Sequence, residues 1–322
     1  MSDSNTIVDT ATTTTRTRRW LTTFFALFRR ELSGYFQTPV AYVVGAIFLG
    51  VTAALFFSVF FLFERAELRQ FFGLLPILLA LLMPALSMRL IAEERRRGTW
   101  EILTTLPMST TRIIAAKFAA VWVTALFLLA PTVIFALTVA GFGPLDPGPV
   151  AGGYLGAALL AAAYGAVGVF ASSVARNETV ALILGLVIAL FLAFLDGIVV
   201  LFPPELVSVV QFLGTGYHFQ SFTRGVIDSR SVVYLLSLSA LFLVLARHQL
   251  DRRLFMKRNT HTMRNRSTTR RFRTVNLLLT VAILVMLNLV AGNAFVKWDL
   301  TRGDAYSLSR ISTESLARLE DP

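Results

Sequence analysis

Residues 88–117 read MRLIAEERRRGTWEILTTLPMSTTRIIAAK, and they place a dense group of charges between two long apolar runs. Two glutamates and three arginines occupy positions 93–97, directly before Gly98. A connection between two neighbouring helices needs only a few residues. A connection of this length and charge density therefore indicates a structured element with a role of its own. We refer to residues 93–107 as the charged segment.

The composition indicates the environment of the chain. Of its 322 residues, 55% are hydrophobic and 15% are charged, and the mean hydropathy is +0.67. Soluble domains carry about 25% charged residues, so the sequence predicts an all-α integral membrane protein. The net charge is +11, but the basic residues cluster beside apolar runs. This placement is typical of membrane topology and of contact with anionic membrane lipids, and it argues against nucleic acid as a partner.

Seven apolar runs predict membrane-crossing helices, each of which needs about 20 residues. They cover residues 39–63, 71–92, 118–141, 150–174, 180–202, 232–246 and 275–296. The sixth is the shortest and can extend by a turn at either end. Ahead of them, residues 20–38 repeat apolar side chains every four positions, which predicts an amphipathic helix at the interface. A direct extension of the first span is the alternative. Residues 1–19 are polar and predict a disordered cytoplasmic tail.

The placement of basic residues predicts the orientation of the chain. With the N-terminus in the cytoplasm, 22 of the 30 arginines and lysines fall in cytoplasmic segments, four in outer loops and four in the C-terminal tail. Positive loops remain inside, so we expect a multi-pass protein of the bacterial inner membrane with an extracytoplasmic C-terminal tail. The charged segment is then cytoplasmic. So is the basic stretch 251–274, which is typical of a solvated linker at anionic headgroups.

Catalytic and nucleotide-binding motifs are absent from the sequence. It contains no Gly-Lys pair, which excludes the G-x-x-x-x-G-K-[ST] loop, and neither H-E-x-x-H nor G-x-S-x-G occurs. Cysteine is absent, and His218, His248 and His261 lack the spacing of metal ligands, so no metal site and no bound cofactor are expected. The sequence therefore predicts a protein that is not an enzyme and that takes its energy from elsewhere.

Within the charged segment, the pattern predicts a turn followed by a short helix. Gly98 permits a turn that larger residues disfavour. Thr99 is placed to cap a new helix, in which Trp100 and Leu103 share an apolar face. The result is a short helix across the cytoplasmic ends of the second and third spans.

The second half of the charged segment fits the same prediction. Glu101 falls in the first turn of the short helix, where a negative charge complements the helix dipole. Pro107 ends that helix, and Ser109 is placed to cap the next one. Charges of both signs around an apolar face suit docking on a partner protein. Contact with lipid alone is the alternative, and the residues by themselves do not separate the two interpretations.

Several stretches resemble a known family. MRLIAEERRRGTWEILTTLP (88–107) resembles the cytoplasmic coupling segment of ABC-2 type permeases. Within that family, three further stretches resemble the gliding-motility-associated branch, and the resemblance covers about residues 28–250. These stretches are RRELSGYFQTPVAYVVGAIFLG, GGYLGAALLAAAYGAVGVFASS and YHFQSFTRGVIDSRSVVYLLSLSALFL.

The resemblance implies a fold and a set of partners. It implies a six-helix ABC-2 domain, type V exporter-like, over residues 39–250, and separate ATPase subunits that use ATP and Mg²⁺. It implies a homodimer, or pairing with a second permease, and export as the direction of transport. The residues expected to couple to the ATPase are Glu93, Glu94, Arg95, Arg96, Arg97, Gly98, Thr99, Trp100, Glu101 and Pro107.

Residues 275–322 resemble a different protein. A single span followed by DLT (299–301) and YSLS (306–309) resembles the N-terminus of the gliding-motility auxiliary protein, in which a large external domain follows. The resemblance implies a seventh span with a short external tail, and an external auxiliary protein as a further partner. A natural short fusion and a truncation both remain open.

The fourth span carries small residues at small-x-x-x-small spacing, which lets neighbouring backbones approach closely. We favour packing within one subunit, with a dimer contact or a conduit wall as the alternatives. These residues are Gly152, Gly153, Gly156, Ala157, Ala161 and Gly165.

A second group of candidates lies near the outer side. Asp196 falls inside the fifth predicted span, and acids within the membrane are candidates for transport. In the amphipathic loop before span six, Phe212, Phe219 and Phe222 are predicted to dip into the outer leaflet. His218 is a candidate pH-sensitive contact, although an interfacial histidine is the favoured interpretation. Asp196, His218, Phe219 and Phe222 together form a candidate outer transport or gate group.

These observations predict a permease subunit of an ABC transporter, driven through the charged segment by a separate ATPase. The alternative is a structural scaffold or anchor of a gliding-motility or envelope machine that transports no solute.

Overall fold

The computed structural model describes residues 22–63, 68–100, 103, 108–258, 266–293 and 296–302, so the predicted tail 1–19 lies outside the described residues. The helices are α1 (22–37), α2 (Pro39–Phe63), α3 (Arg69–Ser87), α4 (Arg89–Arg96), α5 (Thr110–Leu129), α6 (Val133–Phe142), α7 (Pro147–Val174), α8 (Glu178–Phe194), α9 (Pro204–Leu213), α10 (Thr215–Thr223), α11 (Ser229–Arg258) and α12 (Arg266–Asn293). Single 3₁₀ turns occur at Ala130–Thr132 and Val199–Leu201. Two short strands, β1 (Val226–Asp228) and β2 (Lys297–Asp299), form an antiparallel pair.

Six helical stretches are long and apolar enough to cross a membrane, which confirms the all-α membrane class. They are Ala41–Ser58, Arg69–Arg96, Thr110–Phe142, Pro147–Val174, Ser229–Arg252 and Thr274–Asn293. The fifth predicted span corresponds to α8, whose 17 residues are about 26 Å long at 1.5 Å per residue. This helix ends at Phe194 instead of continuing to residue 202.

The two ends of the helix bundle differ in chemistry. We call the end that carries Arg29, Arg30 and the arginines of α4 the arginine-rich end, and the end that carries β1 and β2 the opposite end. The short helix α8 connects them. Glu178 at its start contacts Arg96, and Asp196 just after it contacts α10. It is shorter than the six candidate spans, so a seventh crossing by this helix stays a prediction.

The central helix of the bundle is α7. Within its apolar stretch 78% of the residues are buried inside the protein, compared with 28% in α2 and 6% in α12. α3, α5, α8 and α11 all pack on it. A helix surrounded on all sides needs side chains small enough to let four neighbours approach, and α7 is rich in glycine and alanine.

The small residues of the fourth span face other helices of the same chain. A Cβ atom at Gly153 would lie 2.4 Å from the ring of Phe72 in α3, and one at Gly156 would lie 2.7 Å from Cβ of Phe222 in α10. Larger side chains at these two positions would displace their neighbours. The candidate packing residues that are buried inside the chain are Gly152, Gly153, Gly156, Ala157, Ala161 and Gly165.

Helix α1 packs against the arginine-rich end of the bundle. Leu27 is buried, Phe28 packs on the main hydrophobic core, and the Tyr35 hydroxyl donates a hydrogen bond of 2.7 Å to the Leu86 carbonyl. A bend at Thr38 separates α1 from α2. The helix predicted over residues 20–38 is therefore distinct from the first span.

The chain after α12 returns to the bundle at the opposite end. β2 pairs with β1, with Ile227 opposite Trp298. α12 itself packs along α11, where Asn288 Nδ2 donates a hydrogen bond of 2.7 Å to Ser237 Oγ. The described part of the predicted auxiliary-like segment is thus attached to the six-span unit through both its helix and its strand.

Helices α11 and α12 are longer than the sequence predicts. The sixth span is predicted over residues 232–246, yet α11 begins at Ser229 and continues to Arg258, and α12 begins at Arg266. Both helices thus extend into the predicted linker 251–274. Arginine, lysine, leucine and methionine favour helix, so the helices continue past the apolar part.

The packing of α7 gives a direct prediction: Gly156→Leu should destabilise the protein, whereas Gly73→Leu should not. Overpacking a close contact costs about 1–3 kcal/mol. Gly156 faces Phe222 and Phe219, while nothing lies within 4 Å of a Cβ atom placed at Gly73. Thermal unfolding of the purified protein in detergent would show a lower midpoint for Gly156→Leu alone. Equal midpoints for the two variants would contradict the close packing of α7 on α10.

Candidate functional site: the charged segment and its anchors

A serine side chain divides the second span into α3 and α4. Ser172 of α7 accepts hydrogen bonds from the amides of Ile91 and Ala92 and donates one to the Met88 carbonyl, each at 3.0 Å. In an uninterrupted helix the Ala92 amide would bond to the Met88 carbonyl directly, so the hydroxyl is inserted into the ladder. One turn earlier, Pro84 has no backbone N–H group, so a second hydrogen bond of the helix is missing. α4 is therefore joined to α3 at a weakened point.

Arg95 attaches α4 to the end of α7. Its Nη1 donates hydrogen bonds to the carbonyls of Ser173 (3.0 Å) and Ala175 (2.7 Å). The last carbonyls of a helix have no partners within the helix and carry the negative end of its dipole. A guanidinium at this position satisfies the carbonyls and complements the dipole.

Glu178 attaches α4 to α8. Its two carboxylate oxygens lie 3.0 Å from Arg89 Nε and 3.2 Å from Arg96 Nη2. Both arginine side chains are about half exposed, so each ion pair contributes at most about 1 kcal/mol. The glutamate also occupies the first turn of α8, where its charge suits the helix dipole.

Lys117 attaches α4 to α5 and α1. Its side chain is only 1% exposed, and its Nζ lies 3.0 Å from Glu31 Oε1 and 2.8 Å from Glu94 Oε1. The three residues belong to α5, α1 and α4, so a single ammonium group joins three helices. A buried charge is tolerated only with such partners, and we call these three residues the Lys117 cluster.

We call residues 97–99 the tip of the charged segment, and all three are exposed. The Arg97 side chain is 65% exposed and pairs with Glu93 one turn earlier. Gly98 has a φ of 75°, the left-handed conformation that glycine adopts readily, so the predicted turn is present. Thr99 is exposed and its hydroxyl donates a hydrogen bond of 3.2 Å to the Glu94 carbonyl, which places it at the end of α4. Thr99 and Trp100 are themselves helical, and residues 101–102 and 104–107 of the predicted helix lie outside the described residues.

The residues after the tip hold it against the protein. Trp100 and Leu103 are both helical and both buried in the main hydrophobic core, so their shared apolar face contacts protein and not lipid alone. Glu101 and Pro107 lie outside the described residues. Ser109 occupies the predicted N-cap position of α5, with an extended backbone. Its side chain makes no capping hydrogen bond, so the prediction of a side-chain cap is wrong.

A comparison with protein families identifies the fold that carries this site. Residues 66–246, more than half of the chain, match the family model of the ABC-2 family transporter protein. The chain belongs to the ABC-2 transporter family. It is thus a multi-pass membrane component of a transporter, and we refer to it as the permease. The matched region runs from α3 through most of α11 and includes the charged segment. No curated protein matches the chain.

Sequence reasoning did not assign a role to four residues that anchor α4: Glu31, Lys117, Ser172 and Glu178. An isolated charge in an apolar helix is a signal of function, and Lys117 carries that signal. Its partners are 86 and 23 residues away along the chain, so only the fold identifies them. A serine in a helix of small residues gives no signal of its own.

The outer candidates lie inside the permease. His218, Phe219 and Phe222 of α10 are all buried, and the two phenylalanines contact α7 at Gly156. The prediction that Phe219 and Phe222 dip into the outer leaflet is therefore wrong. The sequence shows an apolar face on α10, and the glycines of α7 leave the space that this face fills.

The ring of His218 has partners on every polar atom. Its Nε2 donates a hydrogen bond of 2.9 Å to the Phe212 carbonyl, Nδ1 lies 3.3 Å from Ser231 Oγ, and the ring stacks on Tyr234 at 3.9 Å. Burial lowers the pKa of His218 to about 4, against smaller opposing effects of the Phe212 carbonyl and Asp228. The imidazole is therefore a neutral interior group at pH 7, and not the interfacial histidine favoured from the sequence.

Asp196 has a structural explanation. Its carboxylate oxygens lie directly against Gly214 and Gly216, where added Cβ atoms would approach to 1.8 Å and 2.2 Å, and the Tyr217 amide bonds to it. These residues form the start of α10, whose first backbone amides have no partners within the helix, although the Oδ1 oxygen of Asp196 accepts no hydrogen bond from the described part of the chain. The chain leaves α8 after Phe194 to make this contact, which explains the early end of the fifth predicted span.

The Lys117 cluster predicts a large effect of one substitution. Lys117→Met should destabilise the permease by about 3–5 kcal/mol, because two buried carboxylates lose their partner. The triple variant Lys117→Met/Glu31→Gln/Glu94→Gln removes all three charges and should recover most of the loss. Thermal unfolding in detergent measures both effects. A single variant as stable as the parent would show that the lysine is not buried between the two acids.

The buried histidine predicts a pH dependence. Because burial places the pKa of His218 below the usual 6.5, the unfolded chain takes up the proton first as the pH falls. The contribution of His218 to stability is therefore complete above about pH 6.5 and is lost progressively towards about pH 4. Thermal midpoints of the parent and of His218→Gln, measured across this range, should converge at low pH. Parallel profiles would refute the burial of a neutral imidazole.

Proposed function

We propose that this ABC-2 permease works with a separate ABC ATPase, which docks on the exposed tip of the charged segment and drives export of a solute. The observation that supports this proposal best is the position of α4. Its side chains connect the tip with four other helices: α7 through Arg95, α8 through Arg89 and Arg96, and α5 and α1 through Glu94 and Lys117. Motion imposed on the tip therefore reaches most of the bundle.

The tip is suited to a protein partner. Arg97, Gly98 and Thr99 are exposed, while Trp100 and Leu103 directly after them are buried in the core. An exposed, charged turn on an anchored base presents a fixed shape, which favours specific docking. Lipid headgroups alone do not require such a shape.

The proposal includes an orientation. The arginine-rich end faces the cytoplasm, because basic loops remain on that side of a bacterial inner membrane. The ATPase and its ATP and Mg²⁺ lie below it, and the permease supplies no catalytic residue. The C-terminal tail is extracytoplasmic, and its first residues form β2, which pairs with β1. An external auxiliary protein would meet the permease on this side.

Two permease copies are part of the proposal, as the family resemblance implies. The outward side of α8 supports it, since large apolar side chains there are exposed in the single chain. They are Val180, Ile183, Val187, Phe191 and Phe194. A second copy at this face would lie close to Glu178, and so to the anchor of α4.

A charge reversal at the tip tests the coupling. Arg97→Glu should lower ATP-driven transport by about tenfold or more, because a charged contact at a docking surface contributes on the order of 1–2 kcal/mol. The fold should be unaffected, since the side chain is 65% exposed and its ion pair among the described residues is the one with Glu93 of the same turn. The measurement is ATP hydrolysis and solute export by the complex purified from native membranes and placed in vesicles. Arg224→Glu, exposed at the opposite end, is the matched control.

The neighbouring arginines would give a less direct test. Arg95→Glu or Arg96→Glu would also break the anchors on α7 and α8, so a loss of transport could follow from misfolding. Glu101→Arg remains a second test of the same docking surface. Normal export with Arg97→Glu would contradict the coupling role. A bound ATPase without export of any solute by the parent protein would favour the scaffold.

A further inference from the structure

We propose that the Ser172 hydroxyl sets the angle between α3 and α4 and is thereby a positioning residue for coupling. The purpose assigned to it rests on the proposed function. Met88 joins the two helices with a helical backbone, at φ −54° and ψ −35°. The backbone torsions at this residue therefore do not force α4 away from the direction of α3. The interruption between Ser87 and Arg89 follows from the hydrogen bonds at the junction.

The hydrogen bonds of the Ser172 hydroxyl all go to a neighbouring helix. This buried Oγ accepts from two amides of α4 and donates to the Met88 carbonyl. A hydroxyl has one donor and two lone pairs, so its whole capacity is used there. Serines within helices often bond to a carbonyl of their own preceding turn, as Ser173 does to Phe170 at 2.7 Å. Ser172 departs from that pattern.

An alternative pairing exists within the chain. In a continuous helix the Ile91 amide bonds to the Ser87 carbonyl four residues earlier, whereas here it donates to Ser172 at 3.0 Å. Exchange of the hydroxyl for that carbonyl would join α3 and α4 into one helix. Both pairings satisfy the buried amide of Ile91. The junction therefore has two discrete arrangements, which is what a bistable element requires.

A second hydroxyl from another helix contacts the same junction. Tyr35 of α1 donates a hydrogen bond of 2.7 Å to the Leu86 carbonyl, which accepts from the Leu90 amide in a continuous helix. The junction thus receives hydroxyl groups from α1 before Met88 and from α7 after it. Side chains of neighbouring helices, and not Pro84 alone, support the interrupted form.

The α3 side of the junction is fixed on α7. A Cβ atom at Gly168 would lie 1.7 Å from Ser87 Oγ, so α3 meets the α7 backbone directly at this point. Ser172 lies one turn further along α7, where it bonds to the start of α4. A change of partner at Ser172 therefore moves α4 and leaves α3 in place.

Spin labels measure the angle directly. The chain contains no cysteine, so Arg97→Cys in the tip and Arg224→Cys at the opposite end introduce two labels without background. Both positions are exposed. Electron–electron double resonance of the permease in nanodiscs, without the ATPase, gives the distribution of distances between the labels.

Ser172→Ala in this labelled pair should move the distribution to a second narrow maximum. The ratio of the continuous to the interrupted form should rise about tenfold or more, because three hydrogen bonds that support the interrupted form are lost. An unchanged distribution would overturn the proposal. A broader distribution without a new maximum would overturn it as well, since Ser172 would then only attach α4.

Matched variants separate the hydroxyl from the packing. Ser173→Ala removes a buried hydroxyl that bonds within α7, and it should keep the parent distribution. Ser172→Thr retains the hydroxyl and should also keep it. A shift with Ser173→Ala as large as with Ser172→Ala, or a shift with Ser172→Thr, would refute the role of the Ser172 hydroxyl.

The complete transporter tests the purpose of the junction. In vesicles, Ser172→Ala should bind the ATPase as the parent does, because the tip is unchanged, and should export about tenfold less solute. Normal export by Ser172→Ala would overturn its role in coupling. Failure of the proposed function has a different signature, since export would then be insensitive to Arg97→Glu while the label distance still responded to Ser172→Ala.

Discussion

An ammonium group without access to water fixes the geometry of the arginine-rich end. Lys117 remains charged there because Glu31 and Glu94 reach it from α1 and α4, and each glutamate brings its own helix into contact with α5. Breaking one partner of such a group costs several kcal/mol, more than any exposed ion pair nearby contributes. The position of α1 therefore depends on this ammonium group, in addition to the packing of Leu27 and the hydrogen bond from Tyr35 to Leu86.

Helix α7 is the frame on which this end is assembled. Its glycines and alanines let α3 and α10 approach its backbone, and its last turn offers carbonyls and a serine hydroxyl to α4. The same helix thus makes close apolar contacts along its length and hydrogen bonds at its end. α7 is the most buried of the six candidate membrane helices, so we expect α4 to move relative to a stationary α7. That motion would occur about Met88, where the Ser172 hydroxyl replaces a backbone hydrogen bond of the helix.

The sequence predicts features that depend on neighbours along the chain. Lengths of apolar runs predicted the six helices that are long and apolar enough to cross a membrane, and Gly98 predicted a left-handed turn that the structure contains. Features that depend on distant partners were not predictable. Glu31 is 86 residues from Lys117, and nothing local indicates their contact. The apolar face of α10 looks the same whether it meets lipid or protein, so the burial of Phe219 and Phe222 follows only from the space left at Gly156.

The anchors of α4 differ in strength, and this difference gives its motion a direction. The pairs of Arg89 and Arg96 with Glu178 involve half-exposed side chains and contribute about 1 kcal/mol or less each. The Lys117 cluster is buried and costs several kcal/mol to separate. A force on the tip would therefore release α8 before it separates α4 from α5 and α1. On the proposed function, α1 therefore moves together with the charged segment, while the contact of α4 with α8 opens first.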